Sequence, residues 1–529
     1  MIRVPDIKLS IDEEESSIKT ALIRKLKIKE DELISYQIYK RSIDARRKDR
    51  VDFVYTVDVE VMNENKLLKR IKDKKITVAP NMNYNYVKKG NEKLQHPPVI
   101  IGTGPAGLFA GLILAQMGYA PILLEQGKDV DKRAEDIHTF WTKGRLDTAS
   151  NVQFGEGGAG TFSDGKLTTQ IKDLRCRKIL EELVKAGAPE EIMYISKPHI
   201  GTDILRTVVK NIRKEIINLG GKVAFEKKVT DFLIEDGRIK GVVVNDKDTL
   251  EAEIVVLAIG HSARDTFEML YKNNVEIHQK PFSIGVRVEH PQKLIDVAQY
   301  GSFAGHSKLG AADYKMAHHC DNQRSAYTFC MCPGGQVVAA ASEEGGVVTN
   351  GMSEYARDKE NANSALLVGV GPEDFDSEHP LAGMYFQRKW EQKVFEVGGG
   401  NYYAPAQLVK DFLKDQPSKQ LGKVKPSYMP GVVLTDLRQC LPDFVVDTMK
   451  EAIAALDKKL HGFNMEEAVM TAIESRSSSP IRIKRDEDYQ SNIQGLYPSG
   501  EGAGYAGGII SAAVDGIKVA EAIAEKFTS

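Results

Sequence analysis

Nine residues constrain this chain more than any others: Val99-Ile100-Ile101-Gly102-Thr103-Gly104-Pro105-Ala106-Gly107. A short apolar strand runs directly into G-x-G-x-x-G, and Leu108 to Met117 continue as an apolar helix. Gly102 permits the tight turn. Gly104 lets the backbone approach a pyrophosphate, whose charge suits the helix N-terminus that Pro105 and Ala106 open. Gly107 permits close packing of helix on strand. A second strand from Pro121 ends at Glu125, 23 residues after Gly102, where a ribose hydroxyl needs an acceptor. Glycines also make ordinary turns, but here strand, glycines, helix, strand and acid all stand in order. The expected unit is a dinucleotide-binding α/β fold.

Composition bounds what surrounds it. The 529 residues, 42% of them hydrophobic, allow about two to four domains. A net charge of −2 gives no global reason for nucleic-acid binding. No apolar run approaches the ~20 residues of a membrane helix. The N-terminus lacks an apolar signal core and carries Asp12 to Glu15, so no secretory signal and no membrane are expected. Five cysteines, an odd number, point to a reducing, cytoplasmic compartment.

Four segments follow from patterning. Residues 1–95 hold 22 basic and 16 acidic residues, against 50 and 58 in the remainder. They read as an N-terminal α+β domain of ferredoxin-like order: strand Ile2 to Ile11, helix Ser17 to Ile28, strands Leu33 to Ile43 and Val51 to Val61, and a basic helix Lys66 to Lys75. Pro97 and Pro98 mark the boundary. Residues 96–281 read as the first part of a Rossmann-like, split dinucleotide domain. Residues 282–425 form a strand-rich substrate or cap segment, and 426–529 return to the dinucleotide domain.

The choice of dinucleotide rests on three matches. Glu125 is followed by Gly127 and Arg133, which resembles the E-x-G-x-x-x-x-x-R extension of FAD-dependent oxidoreductases related to glutathione reductase. The run Thr249 to Gly260 is similar to that superfamily's strand ending in A-x-G near the cofactor. The run Ile493 to Gly502 is similar to its late strand ending in Gly-Asp, whose acid binds the ribityl or phosphate region. Here Gly500-Glu501 stands in that place. The following Gly507-Gly508-Ile509 opens a helix whose N-terminus would face the N1–O2 edge of a flavin.

Further motifs narrow the family. Phe154 to Leu167 (FGEGGAGTFSDGKL), Phe329-Cys330-Met331-Cys332-Pro333-Gly334-Gly335, Ala356 to Ala365 and Glu474 to Pro480 together resemble the bacterial FAD-dependent, NAD-utilising dehydrogenases. The likeness spans nearly the whole chain. It implies a split FAD-binding domain, an inserted cap and an N-terminal α+β domain, and leaves the substrate undefined. In the Gly-rich loop, Gly157 and Gly158 would lie against the diphosphate or ring, with Thr161 and Ser163 donating hydrogen bonds. Gln126, Val229 and Gly260 complete the expected FAD contacts. Asp164 and Lys166 read as a local ion pair.

Catalytic candidates are weaker. Cys330 and Cys332 point to one face of a strand, as pocket-lining hydrophobes or as a dithiol beside the flavin. His318 and His319 offer acid–base groups. No carboxylate or C-x-x-C accompanies them in sequence, so no metal site is expected. Arg476 would bind an anionic substrate or cap a turn. The basic run Lys40 to Arg50 reads as a solvated hairpin. The leading expectation is an FAD-dependent oxidoreductase with NAD(P)H as a transient reductant, because only one dinucleotide fingerprint is present. The alternatives are a flavoprotein that binds or modifies RNA through residues 1–95, and a non-catalytic FAD-binding sensor.

Overall fold

The computed structural model describes residues 1–529. Alternating apolar residues build the first unit. Ile2, Val4, Ile7 and Leu9 of strand Ile2–Ser10 face Phe53, Tyr55, Val57 and Val59 of strand Arg50–Val61, and helix Ser17–Leu26 buries Ile18, Leu22 and Leu26 against them. The four strands lie in the spatial order second, third, first, fourth, with every neighbouring pair antiparallel. This is the split β-α-β arrangement of a ferredoxin-like unit. The second helix is shorter than patterning suggests, Glu64–Arg70, because Lys72 to Lys75 offer it no apolar face.

The second unit is a five-stranded parallel sheet. Its order is Leu496–Pro498, Val255–Leu257, Val99–Ile101, Ile122–Leu124, Lys222–Ala224. The outermost strand thus enters almost 400 residues after the strand that founds the sheet. Helices Pro105–Gln116 and Ile509–Lys526 pack side by side, so closely that a Cβ on Gly516 would sit 2.1 Å from the carbonyl oxygen of Ala106. Strands Val229–Glu235, Arg238–Val244 and Asp248–Glu251 form a small antiparallel sheet beside it. Phe527–Thr528 pairs with Glu92–Lys93, tying the last helix to the segment that follows the first unit.

The third unit is a seven-stranded sheet of order Ala317–His319, Ser325–Cys332, Asn361–Val370, Phe282–Pro291, Val469–Glu474, Ala404–Leu408, Val432–Leu434. Helices Ala382–Val397 and Asp443–Asp457 cover it. Val432–Leu434 and Val469–Glu474 lie beyond residue 426, so the strand-rich unit runs further than the sequence expectation placed it. A short apolar run such as Val432-Val433-Leu434 carries no mark of which sheet it joins; its pairing with Ala404–Leu408 decides that. No helix is long and apolar enough to cross a membrane.

Candidate cofactor site

Four separated stretches meet at the C-terminal ends of the parallel strands. Gly102 has φ +99°, and a Cβ there would lie 2.4 Å from the carbonyl oxygen of Ala258. A Cβ on Gly107 would lie 2.0 Å from the oxygen of Gly102, so both glycines are set by packing, as their spacing implies. The Gly-rich loop folds onto this turn. Gly157 N donates to Thr103 O, and a Cβ on Gly158 would come within 2.9 Å of Gly104 Cα. Gly160 abuts Ile509 and Pro105. A Cβ on Gly500 would meet Ala106, and one on Gly502 would meet the Gly260 carbonyl. Asp515, on the last helix, accepts from Gly500 N at 2.7 Å and pairs with Arg485 at 2.6 Å, fixing the 500–504 turn.

Glu125 is buried and fully engaged. Its carboxylate takes four hydrogen bonds from Thr103 N, Thr103 Oγ1, Gly127 N and Gly155 N. The sequence assigns it to a ribose; the geometry gives it first to the two glycine loops, because those loops bring three donors to one carboxylate and Gly127, on its own segment, brings the fourth. Arg133 is likewise turned inward. It is fully buried and donates to the backbone oxygens of Asn151, Val152, Gly155 and Glu156. Burial without a directly paired carboxylate lowers its pKa to about 10. It therefore positions the loop. Thr161 Oγ1 is buried against Gly157, and Ser163 Oγ donates to Gly160 O, so neither hydroxyl projects from the loop as expected. Gln126 is half-buried without a side-chain partner, and Val229 is buried where its strand leaves the Glu125 segment.

Residues 281–477 match the family model "FAD-dependent protein, C-terminal domain-like". Residues 98–285 match the model for glucose inhibited division protein A, and residues 1–60 a domain of unknown function. A protein of Clostridium beijerinckii, described as uncharacterized, is 54% identical over 528 residues, covering 99% of each chain. The chain belongs to a family of FAD-dependent proteins. Among solved structures, a flavin-dependent brominase shares 12% identity over 81% of this chain and 78% of its own, with a TM-score of 0.36. An L-proline dehydrogenase from P. horikoshii shares 14% over 82% and 93%, with a TM-score of 0.33.

The cleft of this FAD-dependent protein fits its cofactor. Three of its glycines face space and not protein. A Cβ on Gly104 would meet only Gly158 Cα, at 3.8 Å, and those on Gly260 and Gly507 would meet nothing within 4 Å. Such a cradle is what close approach of a diphosphate and a ring requires. Gly508, extended at φ 167°, precedes the last helix, whose first N–H groups are free for a ligand. Glu501 is the free acid of the site. No protein group donates to its carboxylate, and burial raises its pKa to about 7 against the opposing pull of Lys280.

Other candidates fall elsewhere. Arg476 is buried and bound to Glu391 at 2.8 Å and to Ser342 at 2.5 Å. Glu391 also binds Arg264 at 2.7 Å, so Arg476 belongs to an internal ion network and is not offered to a substrate. His318 and His319 lie on the edge strand. His318 Nε2 is 3.2 Å from Glu451, and with Cys320 these three place ligand atoms within 4.8 Å of one another. The carboxylate that local sequence lacked thus comes from helix Asp443–Asp457. His319 faces Ser325. Asp164 and Lys166 do pair, and Arg357 joins them at 2.6 Å. The sequence reading missed Lys280, His261 and Asp515. His261 directly follows Gly260, and burial lowers its pKa to about 3.

Proposed function

We propose that this protein is a dehydrogenase in which FAD passes a hydride equivalent between NAD(P)H and an acceptor bound beside the ring. The observation that carries this reading is a cavity of about 680 Å³ bordering the cofactor cradle. Gly507, Ser477 and Ser478 line its cradle side; Phe282, Tyr327 and Phe329 line the sheet side. Its aromatic wall suits a planar ring and its hydroxyls suit a polar substituent. Bound FAD supplies hydride transfer at N5. The protein's part is to orient and shield. Tyr327 is held by a 2.8 Å hydrogen bond to Ser283. Lys280, next to Pro281 at the rim, forms no ion pair and lies 3.3 Å from Ser478 Oγ, placing an uncommitted cation where a phosphate or carboxylate of the substrate would enter. With a single dinucleotide fingerprint, the nicotinamide would occupy this cavity in turn with the acceptor.

The test is anaerobic mixing of the yellow holoprotein with NADH and NADPH, followed by a screen of acceptors. Bleaching of the flavin by either nucleotide supports the reading. Bound FAD that no donor reduces would instead favour a sensor. The RNA alternative draws less support, because the basic hairpin is locally neutralised: Arg46 pairs with Asp44 at 2.7 Å, Arg47 with Asp49 at 2.7 Å and Arg50 with Asp52 at 2.9 Å. Salt-sensitive RNA binding lost on removal of residues 1–95 would restore it. The compartment proposed is the cytoplasm, because five cysteines in 529 residues make no disulfide framework.

A further inference from the structure

The strand Ser325–Cys332 is irregular at one point. Its pairing register with Asn361–Val370 breaks between Phe329 and Cys332, and Cys330 takes φ +43°, a left-handed conformation that a side-chain-bearing residue rarely adopts. Bulges of this kind re-aim a side chain and concentrate beside functional sites. Here the bulge turns the Cys332 thiol back onto the backbone of Cys330. Cys332 is wholly buried, and its Sγ donates to Cys330 O at 3.3 Å.

The surroundings of the pair are cationic. Arg287 Nη1 donates to Cys330 O at 2.7 Å, and Lys166 Nζ donates to Met331 O. The neighbouring Cys332 and the two cations push the Cys330 thiol down, while the neighbouring Cys330 and burial push Cys332 up. Asp164, Glu474 and Glu501 are the acids nearby. The remaining buried thiols behave in the ordinary way: burial raises Cys320 to about 11 and Cys440 to about 12.

Two neighbours of the pair link it to the cofactor cradle. Lys166 ends the Gly-rich loop that touches Gly104 and Ile509, and Phe329 lines the cavity that Gly507 borders. We propose that Cys330 and Cys332 form a dithiol–disulfide couple that exchanges two electrons with FAD. In the oxidising direction the Cys332 S–H bond breaks and one S–S bond forms. The electron pair and that proton pass to oxidised FAD as a hydride equivalent, leaving charge and hydrogen balanced. The inference rests on FAD occupying the cradle.

The experiment counts electrons. Holoprotein is oxidised with excess ferricyanide, desalted and titrated anaerobically with dithionite. Wild-type protein should take four electrons per FAD, whereas Cys332→Ser and Cys330→Ser should each take two. The oxidised wild-type peptide containing both cysteines should be lighter by two hydrogens, and three thiols should titrate in denaturant instead of five. These wild-type measurements decide the matter even where a variant does not fold. FAD that takes two electrons, with all five thiols free, overturns the couple and leaves the dehydrogenase reading standing. Protein purified without FAD overturns both.

Discussion

Glu125 Oε2 accepts two hydrogen bonds from one residue, Thr103, through its backbone N at 2.9 Å and its hydroxyl at 2.8 Å. The other oxygen holds Gly127 N at 3.0 Å and Gly155 N at 3.1 Å. The acid thus clamps one glycine loop to the other. Glu125→Ala would strand three buried N–H groups, each costing about 1–3 kcal/mol. The expected outcome is a lower melting temperature for the apoprotein as well as weaker FAD binding. An unchanged apoprotein melting temperature in calorimetry would exclude the clamp.

Gly104 should behave in the opposite way. Its Cβ direction is open in the protein alone. Gly104→Leu is expected to leave apoprotein stability nearly unchanged while blocking the diphosphate, so the protein purifies folded and colourless. Full flavin occupancy in that variant would remove this loop from the cofactor site.

At Gly508 the backbone is extended and the nearest atom to an added Cβ is Ser511 Oγ at 3.9 Å. Gly508→Val should fold normally, hold the flavin ring away from the helix N-terminus, and lower the flavin midpoint potential. A helix end is worth about 0.3–2 kcal/mol to an anion, and 1.4 kcal/mol corresponds to about 30 mV for two electrons. Spectroelectrochemistry that finds the wild-type potential would place the ring elsewhere.

Glu501 gives a pH signature. Its folded pKa, raised to about 7 by burial, exceeds the ordinary carboxyl value of 4.5. Between those values the native state holds a proton that the unfolded state has lost, so this residue's contribution to stability declines as pH rises from about 4.5 to 7. Apoprotein carrying Glu501→Gln should match wild type at pH 4.5 and melt higher at pH 8. Equal melting curves at pH 8 would mean that the carboxylate is solvated or better paired with Lys280.

What could be read from the sequence was local. The order of Val99 to Glu125 encodes a strand, a turn and a helix within 27 residues, and the alternation of Ile2, Val4, Ile7 and Leu9 encodes a half-buried strand. What could not be read depends on partners far away in the chain. Arg476 looks like a substrate ligand until Glu391, 85 residues earlier, closes on it. His318 looks isolated until Glu451 arrives from a helix 133 residues later. Asp515 sits inside an amphipathic helix, where an acid carries no motif, yet it fixes the turn that presents Glu501. Lys280 and His261 gain meaning only from burial, which no local pattern reveals.

The sheet order also has a consequence in time. The strand Leu496–Pro498 and the helix beginning at Ile509 complete a cradle whose first loop is Gly102–Gly107. At about 5–20 residues per second, a ribosome needs roughly 20–80 seconds to add the ~400 residues between these two halves. Through that interval the pyrophosphate loop lacks the turn that closes over it, and once Val255–Leu257 has been made its outer edge stays unpaired until Leu496–Pro498 follows. FAD capture therefore waits for the helix Ile509–Lys526, and the bound cofactor marks a chain that has been translated through that helix.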